Sequence, residues 1–292
     1  MEPDAYRQKQ NDGSGAHMRH VVRNILLTLN YAHPATIAVA LRRGPGAAKR
    51  YLSEIYRCSK TDAGLYLPVV TLEEISPVAT EFKVSRPLDW GGSMTITEIS
   101  SLCQLVAARH PRKVLEIGSF RGLTTLNIAM NAPEAEIHTL DLPPNFDPAN
   151  TEFENNDANI IKGRGSYYYE GREEAARIHQ HYGDTATFNY EEIGKGVEFC
   201  LIDAAHSYEY VRNDTAKSLP LMARDGLMLW HDYGRNDFLA DPQDAWGVSR
   251  FLHEIADAGV GILQGTSLGV LLLTRDARQK IAQRLGVSLI QE

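Results

Sequence analysis

The chain has 292 residues, 43% of them hydrophobic, which suffices for one large core or one core with a small appendage. A formal net charge of -7 and a pI near 5.8 exclude a global pull toward nucleic acid or an anionic membrane. Cys58, Cys103 and Cys200 are too few and too far apart for a disulfide framework or a structural zinc set, so a reducing compartment, the cytoplasm, is expected.

No run of about twenty apolar residues reads as a transmembrane segment, and the start carries no apolar secretion signal. Residues 1–17 are polar and read as an expression leader ahead of a native start at Met18. Between Val21 and Arg57 the spacing of Ile25, Leu26 and Leu29, then of Ile37, Val39 and Leu41, predicts two or three helices broken at Pro34 and at Gly44-Pro45-Gly46. This part is basic, with Glu54 the only acid between residues 18 and 60. The plain reading is a solvated helical face; a dimer arm, a substrate lid and a site for an acidic partner are the alternatives. Residues 18–94 as a whole read as a helical and irregular extension, with Pro68, Pro77, Pro87 and Gly91-Gly92 breaking its second half.

Thr95 and Glu98 then have capping-box spacing, and Ile99, Leu102, Leu105 and Val106 form one apolar helical face ending near His110-Pro111. Strands are predicted at 113–117, 136–140, 185–189, 197–202 and 226–230, alternating with helices, which means a parallel sheet covered on both faces. Val260–Gln264 and Gly269–Thr274 are separated by four residues, too few for a crossover helix, so these two strands are expected to be antiparallel. The expected fold class is α/β: a Rossmann-like, mostly parallel seven-stranded sheet with an antiparallel last strand, in a domain spanning 95–292. The connection 143–182 is too long for a turn and reads as an insertion over the site. It carries Tyr167-Tyr168-Tyr169, suited to sugar or aromatic faces, and a helix-like piece from Arg172 to His181.

The stretch K-V-L-E-I-G-S-F-R-G-L-T-T (113–125) runs strand, glycine bend, helix. Gly118 lets a backbone approach closely, and the start of the next helix directs N–H groups into the same space, so the stretch reads as a cofactor cradle. Its G-x-x-x-G spacing does not suit a pyrophosphate, and Glu116 would repel a phosphate but suits the ammonium end of a zwitterion. In open α/β sheets ligands lie beyond the carboxyl ends of the strands. Asp141 closes the second of these strands, Asp203 the fourth and His231-Asp232 the fifth. Converging carboxylates favour a hard divalent cation such as magnesium. An imidazole three residues beyond Asp203, His206, is suited to take a proton near neutral pH, and His231 is the competing base.

E-I-G-S-F-R-G resembles the first motif of the class I S-adenosyl-L-methionine (SAM) dependent methyltransferases. I-H-T-L-D-L (137–142), G-D-T-A-T-F (183–188), F-C-L-I-D-A-A-H-S-Y (199–208) and G-L-M-L-W-H-D-Y (226–233) follow in the order that fold needs. The last two are similar to the macrocin O-methyltransferase-like family of sugar and small-molecule enzymes. The resemblance covers roughly residues 90–275. It implies SAM as cofactor, held by Glu116, Gly118, Ser119, Gly122, Asp141 at the ribose, Asp184 near the adenine and Asp203. It also implies metal at Asp203, Asp232 and the position of His231, although several relatives have an acid there.

The expected activity is methyl transfer from SAM to a hydroxyl of a small molecule, a sugar or glycosylated metabolite, with magnesium assisting and no nucleic-acid partner. Two rivals stand beside it: a SAM-binding partner protein without activity, and a metal-independent N-methyltransferase, which EDTA sensitivity separates. Gly265-Thr266-Ser267-Leu268-Gly269 matches a hydrolase nucleophile elbow, but a strand follows it and no histidine does. Asn213-Asp214-Thr215 is a sequon without meaning in the cytoplasm, and Asp141-Leu142-Pro143-Pro144 sits after the wrong strand for a DNA amino-methylating motif.

Overall fold

The computed structural model describes residues 67–76, 81–85, 94–153, 165–234 and 247–289, within a compact unit spanning Leu67–Glu292. The expectations for residues 1–17, Met18 and the basic helices lie outside the described residues, as do Pro77, Pro87 and Gly91-Gly92.

The sheet is built from β1 (Val69–Val70), β2 (Lys113–Ile117), β3 (Glu136–Asp141), β4 (Ile178–Tyr182), β5 (Val197–Ile202), β6 (Met222–Trp230), β7 (Gly261–Leu263) and β8 (Gly269–Leu272). Their spatial order is β1-β7-β8-β6-β5-β2-β3-β4. Every neighbouring pair is parallel except those of β8, which runs antiparallel to both β6 and β7. Chain order runs outward from β2 through β3 to β4, then restarts at β5 and runs the other way. The reversal falls between β2 and β5, and sheets of this kind take ligands beyond the carboxyl ends of the strands at such a point.

Alternation along the central strands separates two cores. Leu115 and Ile117, Cys200 and Ile202, and Met228 and Trp230 face α3 (Tyr208–Ser218), α4 (Gly247–Glu254) and α5 (Arg275–Leu285). Val114, Phe199, Leu201, Leu227 and Leu229 face α1 (Ile96–Arg109) and α2 (Leu123–Asn131). Among the described residues no helix is long and apolar enough to cross a membrane.

The predicted capping box exists: Glu98 N donates to Thr95 Oγ1, and Thr95 N donates to Glu98 Oε2 at 2.8 Å. Three readings need correction. The strand expected at 185–189 is a turn, in which Thr187 N and Phe188 N both donate to Asp184 O, and the third parallel strand is β4 instead. β4 reads Ile-His-Gln-His-Tyr because it lies at the sheet edge, where little apolar surface is buried. The helix-like piece at Arg172–His181 is a short 3-10 turn, Glu173–Arg177, that runs into β4. Lastly, the sheet has eight strands rather than seven, because Val69–Val70 adds an edge strand beside β7, too short to show any alternation in sequence.

Candidate active site

Backbone hydrogen bonds continue past the ends of the central strands and set the site's residues in a row. Gly118 N donates to Leu140 O at 2.8 Å, Asp203 N to Ile117 O at 2.7 Å, and His231 N to Ile202 O at 3.1 Å. The bend after β2, the loop after β5 and the loop after β6 are thereby fixed against one another. A β-carbon on Gly118 would overlap the Asp203 carbonyl, and its φ of 102° lies in the left-handed region. The close approach that the glycine permits is therefore to the backbone of Asp203.

Four predicted residues converge here. Asp203, His206 and Asp232 each offer a donor atom, all within 4.8 Å of one another. His206 Nε2 lies 2.6 Å from Asp232 Oδ2. His231 stands behind them: its Nδ1 is 3.0 Å from Asp203 Oδ1 and 3.4 Å from Asp232 Oδ2, and its Nε2 is 3.5 Å from Glu98 Oε2. It is His206, rather than His231, that joins the two aspartates in the gathered donor set. Burial alone would lower the His231 pKa, but the Asp203 charge and hydrogen bonds to Asp203, Asp232 and Glu98 outweigh it and hold the ring well above its usual value. Burial likewise opposes ionisation of Asp232, yet hydrogen bonds from His206 and His231 keep its carboxyl far below the ordinary range.

Local backbone aims these groups. Asp232 sits at φ 65°, a left-handed conformation that a short polar side chain tolerates. His206 precedes the N-cap Ser207 of α3, and a β-carbon on Gly247, the first residue of α4, would overlap the His206 carbonyl. Gly247 therefore lets α4 pack directly on the segment that carries His206. Sequence reasoning missed it, because only the fold brings α4 to that loop.

The remaining predicted residues, Asp184 apart, lie at the bend after β2. Asp141 closes β3 and accepts from Phe120 N at 2.6 Å and Leu142 N at 2.7 Å, with Phe120 at φ 45°. Gly122, at φ 70°, caps α2, and a β-carbon there would strike the Tyr169 ring. The insertion thus docks on the bend, with Tyr167 and Tyr169 stacked 4.9 Å apart. A hydrogen-bond relay leads inward from it. Tyr169 OH donates to Gln180 Oε1 (2.7 Å), Gln180 Nε2 to Ser119 Oγ (3.1 Å), Ser119 Oγ to Thr139 Oγ1 (2.6 Å) and Thr139 Oγ1 to Glu116 Oε2 (2.6 Å).

Glu116 is fully buried, with Thr125 Oγ1 also donating to Oε2 at 2.5 Å and Oε1 left without a hydrogen-bond partner. Burial pushes its pKa up to about 8 against the two threonine hydroxyls, which favour the anion. A carboxyl raised in the folded state binds a proton there that the unfolded chain releases from about pH 4.5. Its contribution to stability is thus present below that pH and lost as pH rises toward 8. Calorimetric melting of Glu116→Gln should therefore show a Tm advantage over the parent that grows from pH 5 to pH 9. A constant difference would contradict the assignment.

Asp184 is differently placed. Its carboxylate accepts from Ala186 N (2.9 Å), Glu152 N (2.8 Å) and Tyr210 OH (2.8 Å), and so ties the turn after β4 to the insertion and to α3. It does not join the Asp203, His206 and Asp232 group.

Residues 115–233 match a family model described as a methyltransferase domain. This stretch is similar to a methyltransferase domain. It holds both the bend and the gathered trio. No curated protein sequence matches the chain. Among solved structures, the domain is similar to the O-methyltransferase TomG of Streptomyces achromogenes, at 16% identity over 63% of this chain and 82% of that one, with a TM-score of 0.44. An O-methyltransferase of Bacillus cereus in complex with S-adenosylhomocysteine (SAH) matches at 17% identity over 63% and 84% of the two chains, TM-score 0.44. The mycinamycin-pathway methyltransferase MycE, with magnesium and SAH, matches at 17% over 57% and 45%, TM-score 0.38.

Proposed function

We propose that the chain is a SAM-dependent O-methyltransferase acting in the cytoplasm on a hydroxyl of a small molecule, with a sugar or glycosylated metabolite as the acceptor class. One observation carries the reading: Asp203, His206 and Asp232 gather beside the glycine bend of a methyltransferase domain. A module that only bound SAM would have no use for that trio. The sugar class rests on the resemblance of 199–208 and 226–233 to the macrocin enzymes.

The residues present fit both groups the reaction needs. Around SAM, the buried Oε1 of Glu116 is an orphaned polar atom beside the bend, and Asp141, ending β3, is the carboxylate that would accept from the ribose hydroxyls. Around a divalent ion, Asp203 and Asp232 supply hard oxygen donors. SAM supplies an electrophilic methyl group, and the ion supplies Lewis acidity that eases loss of the acceptor's proton. His206 takes that proton. Asp232, against its Nε2, orients the ring and stabilises the imidazolium that results. Holding the hydroxyl oxygen in line with the methyl group supplies most of the remaining acceleration.

The metal preference separates two roles of His206. As the base it leaves an oxygen-only site, and magnesium should restore activity after EDTA; as a ligand it would favour cobalt or zinc over magnesium. Transfer from labelled SAM to a panel of hydroxylated metabolites, with EDTA and with each ion returned singly, is the test. Restoration by zinc and not by magnesium would reassign His206 as a ligand. A second reading has its own support: His231 Nδ1 lies 3.0 Å from Asp203 Oδ1 and 3.4 Å from Asp232 Oδ2, and a protonated ring there would balance both carboxylates without a metal. Full activity in EDTA would establish that reading.

A further inference from the structure

We infer that Glu98 is a positioning residue of the reaction centre, with Ser267 as its anchor: it fixes the ring of His231 and, through that ring, the carboxylates of Asp203 and Asp232. The inference rests on the methyltransferase reading above.

Glu98 belongs to the first turn of α1, where a capping box alone would leave its carboxylate at the solvent edge. Instead its residue is 6% exposed and both oxygens are engaged. Oε2 accepts from Thr95 N and Thr95 Oγ1, each at 2.8 Å, and faces His231 Nε2 at 3.5 Å. Oε1 accepts from Ser267 N at 2.9 Å and from Ser267 Oγ at 2.6 Å. Ser267 lies in the turn between β7 and β8, and its carbonyl accepts from Tyr233 N at 2.9 Å, just past Asp232. One carboxylate therefore links the start of α1, the β7–β8 turn and the loop after β6.

The consequence for the site is geometric. His231 can face Asp203 with Nδ1 only in a ring orientation that sends Nε2 toward Glu98, and carboxylates at both ends lock that orientation. Supporting partners of this kind hold the groups that touch substrate, and their loss costs typically 10–100-fold in activity. The G-x-S-x-G sequence, which carries no nucleophile, finds its use here: Ser267 supplies two of the four donors that hold Glu98.

Glutamine at position 98 cannot serve as a substitute. Each glutamate oxygen accepts from at least two donors, so one side of the amide would set its NH2 against donors. Glu98→Gln should lower kcat by about 10–100-fold with KM for SAM changed less than about threefold. Ser267→Ala should move kcat the same way by less. Thr274→Ala, which removes the N-cap of α5 far along the chain, controls for simple cap loss: it should lower Tm and leave kcat unchanged. A Glu98→Gln enzyme that loses Tm and keeps its kcat would overturn the inference while leaving the methyltransferase reading intact. A parent enzyme that transfers no methyl group would sink that reading instead. A crystal structure of Glu98→Gln then still decides: the His231 ring should turn away from Asp203, and an unmoved ring would overturn the inference.

Discussion

Asp232→Asn should reduce kcat by about a hundredfold or more while SAM affinity, measured calorimetrically, stays within a few-fold of the parent. Two functions end together in this variant. The amide removes the anion that stabilises a protonated His206, and loss of an effective general base costs roughly 10²–10⁴ in rate. It also leaves only a neutral amide oxygen at the proposed divalent-ion site and breaks the balance of charge around His231, which faces Asp232 at 3.4 Å. Glu116, Ser119 and Asp141, the residues proposed to hold SAM, are hydrogen-bonded through other partners, so the proposed cradle should survive the change. A matched loss of SAM affinity would place Asp232 in the cradle, and full activity would remove it from the chemistry.

Gly118→Ala should severely destabilise the fold. The new β-carbon would meet the Asp203 carbonyl and the Ala204 α-carbon, both backbone, at a φ of 102° that alanine rarely adopts. Neither neighbour can rotate away. The end of β5 would have to separate from β2, at a cost of about 3–5 kcal/mol, comparable to the most severe core substitutions, or a fall in Tm of about 10 °C or more. Gly171→Ala provides the comparison. Gly171 also has a positive φ, 73°, but open space around it, so only the backbone strain of about 1 kcal/mol should appear. Equal Tm losses in the two variants would show that the contact with Asp203 is not what requires Gly118.

The central strands were legible because burial on both faces writes itself as apolar runs: V-L-E-I, F-C-L-I and L-M-L-W leave little else to read. The reversal at β7 and β8 followed from a loop too short to hold a helix. β4 was not legible, since at the sheet edge its side chains after Ile178 are histidine, glutamine and tyrosine, and the apolar run that marks a strand is absent. The preceding Glu-Glu-Ala-Ala-Arg favours a helix locally, but only a 3-10 turn forms before the chain joins β3.

The site was legible in a similar proportion. Residues that end strands could be placed from sequence, because the sheet puts all parallel strand ends on one rim. Asp203, His206, His231 and Asp232 do come together there. Their pairing could not be read: which histidine joins the aspartates depends on the left-handed turn at Asp232 and on α4 pressing against the His206 segment. Glu98 was visible only as a cap. Its second task depends on Ser267, 169 residues away along the chain.

The most direct test of the account is a crystal structure of the protein with SAH. The nucleoside should lie over the bend after β2, with the ribose on Asp141 and the sulfur turned toward Asp203, His206 and Asp232. A nucleoside bound elsewhere, or a sulfur facing away from that trio, would contradict it.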